Sequence, residues 1–233
     1  MIQVIPSDMR FLADHGWLQS YHHFSFADYY DAANTHWGTL RVFNDDYIAP
    51  AQGFGLHPHR DMEIVTVVLE GALEHKDTLG NTGVVRPGEI QVMSAGRGIA
   101  HSEYNHSKSD PLHLLQLWIF PRTKGLKPRW EQRIFTAEER EGQLLPVVSG
   151  TEQPSTLRID QDATIYLSSL RSGESVTHQT AAERKPYAFV IKGDVQLNGQ
   201  ALRAGDQARI ADESALTFQS SKDAEIILLD LPA

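Results

Sequence analysis

Short apolar runs separated by turn residues dominate this chain. Val65-Thr-Val-Val-Leu-Glu is closed by Gly71, Leu114-Leu-Gln-Leu-Trp-Ile-Phe by Pro121, and Phe189-Val-Ile-Lys by Gly193. Runs rich in Val, Ile, Leu and Thr between Gly, Asn, Asp and Pro predict strands. Their even spacing predicts a small sandwich or barrel rather than alternating βα units. Helical periodicity is scarce, and only Ala137 to Gln143 is predicted as a short connecting helix.

The pattern occurs twice. The run Val65 to Glu74 is echoed by Phe189 to Leu197. Val85-Arg-Pro-Gly88-Glu-Ile-Gln-Val is echoed by Leu202-Arg-Ala-Gly205-Asp-Gln-Ala-Arg, and Leu114 to Pro121 by Ile226 to Pro232. The three pairs keep one order at a period far longer than that of a solenoid, which predicts two related domains. We place an amino-terminal domain at 1–135 and a carboxy-terminal one at 136–233. The polar, proline-bearing stretch Pro121 through Pro154 is the expected linker, and the basic cluster Arg122 to Arg133 within it reads as a solvated connection.

Composition narrows the function classes. The 233 residues are 41% hydrophobic, enough for proper cores, and the formal net charge of −9 argues against direct binding of a phosphate backbone. The chain has no cysteine, which excludes disulfides, zinc–thiolate sites, iron–sulfur clusters and cysteine nucleophiles. Met1 to Gly16 has no secretory pattern, and no run approaches the ~18 apolar residues that cross a bilayer. A cytoplasmic protein without membrane contact is expected.

The chemistry lies in two strings, Gly55-Leu-His57-Pro-His59-Arg-Asp-Met-Glu63 and Gly98-Ile-Ala-His101-Ser-Glu103-Tyr-Asn105. Each sets two metal-ligand side chains at i and i+2, which on a strand share one face. Two such strands side by side would gather three imidazoles and a carboxylate, a nitrogen and oxygen set suited to a divalent transition metal. A lone histidine is ordinarily a surface or hydrogen-bonded residue, but two such pairs among glycines are hard to obtain by accident. Pro58 cannot donate to a central ladder and is expected at a strand start or a barrel rim. Glu63 shares strand parity with His57 and His59, so parity alone does not choose between Glu63 and Glu103 as the carboxylate. In the second half, His178 stands alone and is expected to be structural or exposed, leaving that domain without a metal. His22 and His23 are adjacent, so at most one can reach the cavity. Phe24, Phe26, Tyr29, Tyr30, Trp37 and Phe43 are more readily core than pocket wall.

These strings, with Gly16-Trp-Leu-Gln-Ser-Tyr-His-His-Phe-Ser-Phe26, Leu40-Arg-Val-Phe-Asn-Asp-Asp46 and Met93-Ser-Ala-Gly-Arg-Gly98, resemble the pirin family, bicupins of the cupin superfamily. The resemblance covers essentially the whole chain and is strongest from Gly16 to Pro121. It implies an all-β fold of two tandem jelly-roll barrels with one metal in the first. Its ligand set falls on His57, His59, His101 and Glu103, and leaves Glu63 outside the set. The proline that the wider cupin pattern sets before its glycine is absent, with Gly96 in its place. Iron is the first expectation, with copper, nickel, cobalt, manganese or zinc as alternatives. Bacterial members resemble quercetinases, dioxygenases that open a flavonol such as quercetin with O2 and release carbon monoxide. Glu103 would then be catalytic, accepting the proton of the substrate 3-hydroxyl. The alternative from the same resemblance is a non-enzymatic, metal-dependent regulator acting through a protein partner.

Overall fold

The computed structural model describes residues 1–233 and contains four sheets, two of seven strands and two of four, antiparallel except where Leu157–Arg158 runs parallel to Leu145–Ser149. A seven-stranded sheet folds over a four-stranded one in each half, so each half is a jelly-roll barrel, and the expected all-β bicupin is the fold found. No helix is long and apolar enough to cross a membrane.

Strict alternation explains how one strand serves two cores. Along Leu112–Ile119, Leu112, Leu114, Gln116 and Trp118 face into the first barrel, while Leu115, Leu117 and Ile119 face the second domain. The backs of the two large sheets thus meet in the largest apolar cluster. There Phe43, Val65, Val67 and Leu117 pack against Tyr187, Phe189, Ile227 and Leu229. Burial at this seam, worth about 25 cal/mol per Å² of apolar surface, makes the two barrels one rigid unit.

The barrel interiors differ. The second is filled by one cluster of 14 buried apolar residues, whereas the interior of the first is split into groups of 7 and 4. The gap between those groups is polar, and it is where the candidate site lies.

The repeat is visible in backbone detail. Gly71 and Gly193, at matching places, have φ of 80° and 77°, and a Cβ on either would stand 2.6 and 2.2 Å from a backbone oxygen. The structure also departs from the sequence expectation in three ways. The first strand, Ile2–Ile5, pairs with Gln207–Ile210 and so completes the sheet of the second domain, across the expected division at 135/136. The expected linker is not structureless. Its Arg129–Ile134 is the edge strand of the first large sheet, and Leu145–Ser149 joins the second. A period-2 signal was masked there because an edge strand can carry Arg, Glu and Gln at low cost. The helix is shorter than expected, Ala137–Arg140, started by a capping box between Thr136 and Glu139.

Candidate metal centre

His57 and His59 lie on Gly53–His59, the edge strand of the first small sheet, and His101 and Glu103 on its neighbour Ile99–Asn105. At the edge, Pro58 is tolerated, as expected. The register sets His101 directly opposite His57, and then shifts by one residue so that Glu103 meets Phe54. Gly53 makes this closure feasible, because a Cβ there would come within 2.2 Å of the Glu103 carbonyl oxygen.

The three imidazoles converge. Ring centroids are 4.4 Å apart for His57 and His101, and 4.9 Å for both His59–His101 and His57–His59. One nitrogen of each lies within 4.8 Å of the others. Glu103 stands beside this cluster, grouped with His101 and His75, its Oε1 3.9 Å from His101 Nδ1. Burial and the neighbouring rings of His57, His59 and His75 push His101 down to about 2. Burial and His57 push His59 down to about 4. Both rings are therefore neutral at neutral pH and keep a lone pair. His57 Nδ1 lies 2.7 Å from the Gly55 carbonyl oxygen, to which it donates, freeing Nε2. His101 Nε2 is buried and has no hydrogen-bond partner at all. An orphaned buried nitrogen among three converging imidazoles, with a carboxylate alongside, fits a divalent transition metal.

The carboxylate is held from the floor of the barrel. Gln91 donates to its Oε1 and Gln116 to its Oε2, each at 3.0 Å. These amides belong to a polar row in register across five strands of the large sheet: His22 opposite Asn44, Asn44 opposite Gln116, Gln116 opposite Thr66, and Thr66 opposite Gln91. Thr66 donates to Gln116 at 3.1 Å, and the Trp130 indole donates to Gln91 at 2.8 Å, so both amides are fixed with their N–H groups aimed at Glu103. Burial raises the Glu103 carboxyl to about 7 against the opposing pull of those two hydrogen bonds.

Glu63 does not share the cavity. The chain turns after His59 and Glu63 opens a strand of the other sheet, on the outward side with Val65 and Val67. Its carboxylate accepts from Ser94 Oγ at 2.5 Å. Parity with His57 failed because the turn resets it. His22 lines the cavity while His23 points into the inter-domain seam beside Tyr187. Of the six aromatics considered, only Phe26 lines the cavity. Phe24 and Phe43 are buried between the barrels, and Tyr30 is 78% exposed. Phe54 and Trp118, not singled out from the sequence, complete the apolar wall. His75, also missed, stacks on Trp130 with ring centroids 5.2 Å apart. A His-x-Asp at 75–77 on a predicted strand was the only signal for it. In the second barrel, His178 is paired with Asp230 at 2.7 Å, and Arg184 donates to the same carboxylate.

The family model for pirin matches residues 6–119, and that for the quercetinase C-terminal cupin domain matches 146–231. Quercetin 2,3-dioxygenase of Escherichia coli K12 is 47% identical over 232 residues, which span 100% of this chain and 99% of that protein. The chain belongs to the pirin family. A second pirin-like protein, from Caulobacter vibrioides, is 44% identical over 99% of both chains. The crystal structure of the bacterial pirin YhhW from Escherichia coli in complex with nickel(II) superposes with a TM-score of 0.95 at 46% identity. That match covers 100% of this chain and 99% of that one. As a pirin, this molecule carries its polar cavity in the barrel that the pirin model matches, and a filled barrel in the half matched by the quercetinase C-terminal cupin.

The site cavity, about 220 Å³, is several times the roughly 30 Å³ share of one water, so it takes an organic group and not only solvent. A larger cleft of about 630 Å³ runs between the barrels. Its His113 is paired with Asp45 at 2.6 Å and its Arg140 with Glu225 at 3.9 Å, and it gathers no cluster of metal-ligand side chains.

Proposed function

We propose that this pirin is a metal-dependent dioxygenase that cleaves flavonols such as quercetin with O2 and releases carbon monoxide. The observation that carries the reading is the convergence of three histidines beside a carboxylate gripped by two amides, at one end of a cavity with an apolar wall of Phe26, Phe54 and Trp118. His57, His59, His101 and Glu103 would hold the metal, with iron as the first expectation. The nickel(II) complex of the Escherichia coli relative supports a divalent ion. When bound, such a metal supplies Lewis acidity and open positions for a substrate oxygen and dioxygen.

The protein's own residues do the rest. Glu103, with its carboxyl near 7, accepts the proton of the flavonol 3-hydroxyl, and a base poised near the working pH is suited to that task. Gln91 and Gln116 keep the carboxylate oriented while its charge changes. Phe26, Phe54 and Trp118 flank the planar substrate and exclude water.

The deciding experiment measures aerobic quercetin loss together with carbon monoxide. Activity should vanish on chelation, return with a divalent metal, and be absent with a flavone that lacks the 3-hydroxyl. His101→Ala is the demanding control, because free metal oxidises flavonols in air. Equal carbon monoxide from that variant would remove the enzymatic reading and leave the regulator acting through a protein partner.

A further inference from the structure

We propose that the cavity holds, beside its metal end, a second subsite that takes phenolic hydroxyl groups, built from Ser20, His22, Asn44 and Asp46. The inference rests on the flavonol reading above and names how such a substrate is recognised at the end away from the metal.

All four residues line the cavity, and all are at least nine-tenths buried, with exposures of 2%, 4%, 4% and 4%. His22 Nδ1 and Asn44 Oδ1 have no hydrogen-bond partner, and beside them the Ser20 hydroxyl supports the Asp46 carboxyl. A buried polar atom left unpaired costs about 1–3 kcal/mol, and native proteins satisfy nearly all of them. Two unpaired atoms side by side, next to a buried hydroxyl–carboxyl pair, therefore mark a place where a polar occupant belongs. The corner is built by register. Ser20 lies directly opposite Asp46, and His22 opposite Asn44, on paired antiparallel strands.

Its position suits a fused-ring ligand. Asn44 is the cross-strand neighbour of Gln116, which grips Glu103. Strands are spaced about 4.8 Å, so the corner starts roughly 5 Å from Gln116 and reaches to roughly 10 Å at His22. That is the span of one to two aromatic rings. Leu18, Phe26 and Phe54 supply apolar contact alongside.

Its chemistry selects the group. Asn44 Oδ1 only accepts, a neutral His22 ring offers one acceptor nitrogen, and Asp46, whose carboxyl burial raises to about 7, keeps an accepting oxygen in either protonation state. The set is rich in acceptors, so the complementary group donates. A carboxylate or phosphate would bring only more acceptors, and no lysine or arginine lines the cavity to receive them. A hydroxyl on an aromatic ring meets the need, and two adjacent hydroxyls meet it twice.

The test uses the full-length, metal-loaded protein without oxygen, so that ligands bind and do not react. Dissociation constants are measured for quercetin and for 3-hydroxyflavone, which keeps the metal-binding 3-hydroxyl and carbonyl but has no other hydroxyl. Wild type should prefer quercetin by roughly tenfold or more. In Asn44→Leu and Asp46→Leu the ratio of the two constants should fall toward one, with metal content unchanged. In Asn44→Leu the melting temperature should rise, because an unpaired buried amide oxygen has been replaced by an apolar group. Asp46→Asn, milder in shape, guards against a folding failure and should lower the ratio in part. If wild type binds both ligands but the ratio is near one, or if the ratio persists in the variants, the corner holds ordered water only and the subsite is wrong while the flavonol reading stands. If wild type binds neither ligand, both fall.

Discussion

His75 Nδ1 and His101 Nδ1 stand 3.4 Å apart, and only one of the two can carry the proton between them. The far side of His75 decides which. Its Nε2 donates to Asp77 at 3.2 Å, and Asp77, despite burial working against it, is held below the usual carboxylate range by bonds from Asn81 and His75. His75 Nδ1 is then the acceptor, His101 Nδ1 carries the hydrogen, and His101 Nε2 is left bare. That bare atom is the one without a partner in the structure. A buried carboxylate thus sets the tautomer of the candidate ligand through an intervening ring.

We expect Asp77→Asn and His75→Phe to weaken metal binding by roughly 10- to 100-fold, the usual cost of losing an orienting partner. Competition titration against a chelator reads the change. Unaltered affinity in both variants would show that the pair is only a structural contact.

The half-and-half division of labour has its own measurement. His57→Ala, His59→Ala and His101→Ala should each lower metal content per chain sharply, with one equivalent bound in wild type. His178→Ala should leave metal content alone and reduce stability by about 1–3 kcal/mol, because Asp230 loses a partner in a mostly buried pair. Two equivalents in wild type, or metal lost only with His178, would contradict this assignment.

Glu103→Gln should depress flavonol turnover by roughly 10²–10⁴ while substrate affinity changes far less, since an amide keeps the shape but accepts no proton. Gln116→Met should have a smaller effect in the same direction, by freeing one carboxylate oxygen. Steady-state rates with separately measured dissociation constants distinguish the two contributions.

Glu63 offers a pH test away from the metal. Burial raises its carboxyl to about 7 in the folded protein, against the bond from Ser94 and the charge of Arg129. The folded state holds this proton more tightly than the unfolded chain, whose value is near 4.5. Its contribution is therefore complete below about 4.5 and is lost as pH rises through 7. Glu63→Gln should abolish that part of the pH dependence, so the variant gains on wild type, by on the order of 2–3 kcal/mol, between those limits. Denaturant melts at several pH values measure it, and parallel curves for the two proteins would show that Glu63 does not titrate there. Metal content should be the same in both.

Much of this was legible without a structure because it is local. The short apolar, β-branched runs within Glu63–Glu70 and Leu112–Ile119, the glycine turns and the doubled pattern specify strands, and strands in that order build barrels. His57 and His59, like His101 and Glu103, share a face because two-residue spacing on a strand requires it. The tertiary structure decided what depends on register between distant strands. It carried Glu63 to the outer face across the turn at Arg60–Met62, which no parity count survives. It lined up Asn44, Gln116, Thr66 and Gln91, residues scattered over four separate strands, into the row that grips Glu103 and continues into the unpaired corner. It brought Trp130 from a stretch that reads as a connection to stack on His75, and sent Ile2–Ile5 to the far domain. Spacing along one strand is fixed by backbone geometry, whereas neighbours across strands are chosen by the burial of the whole sheet.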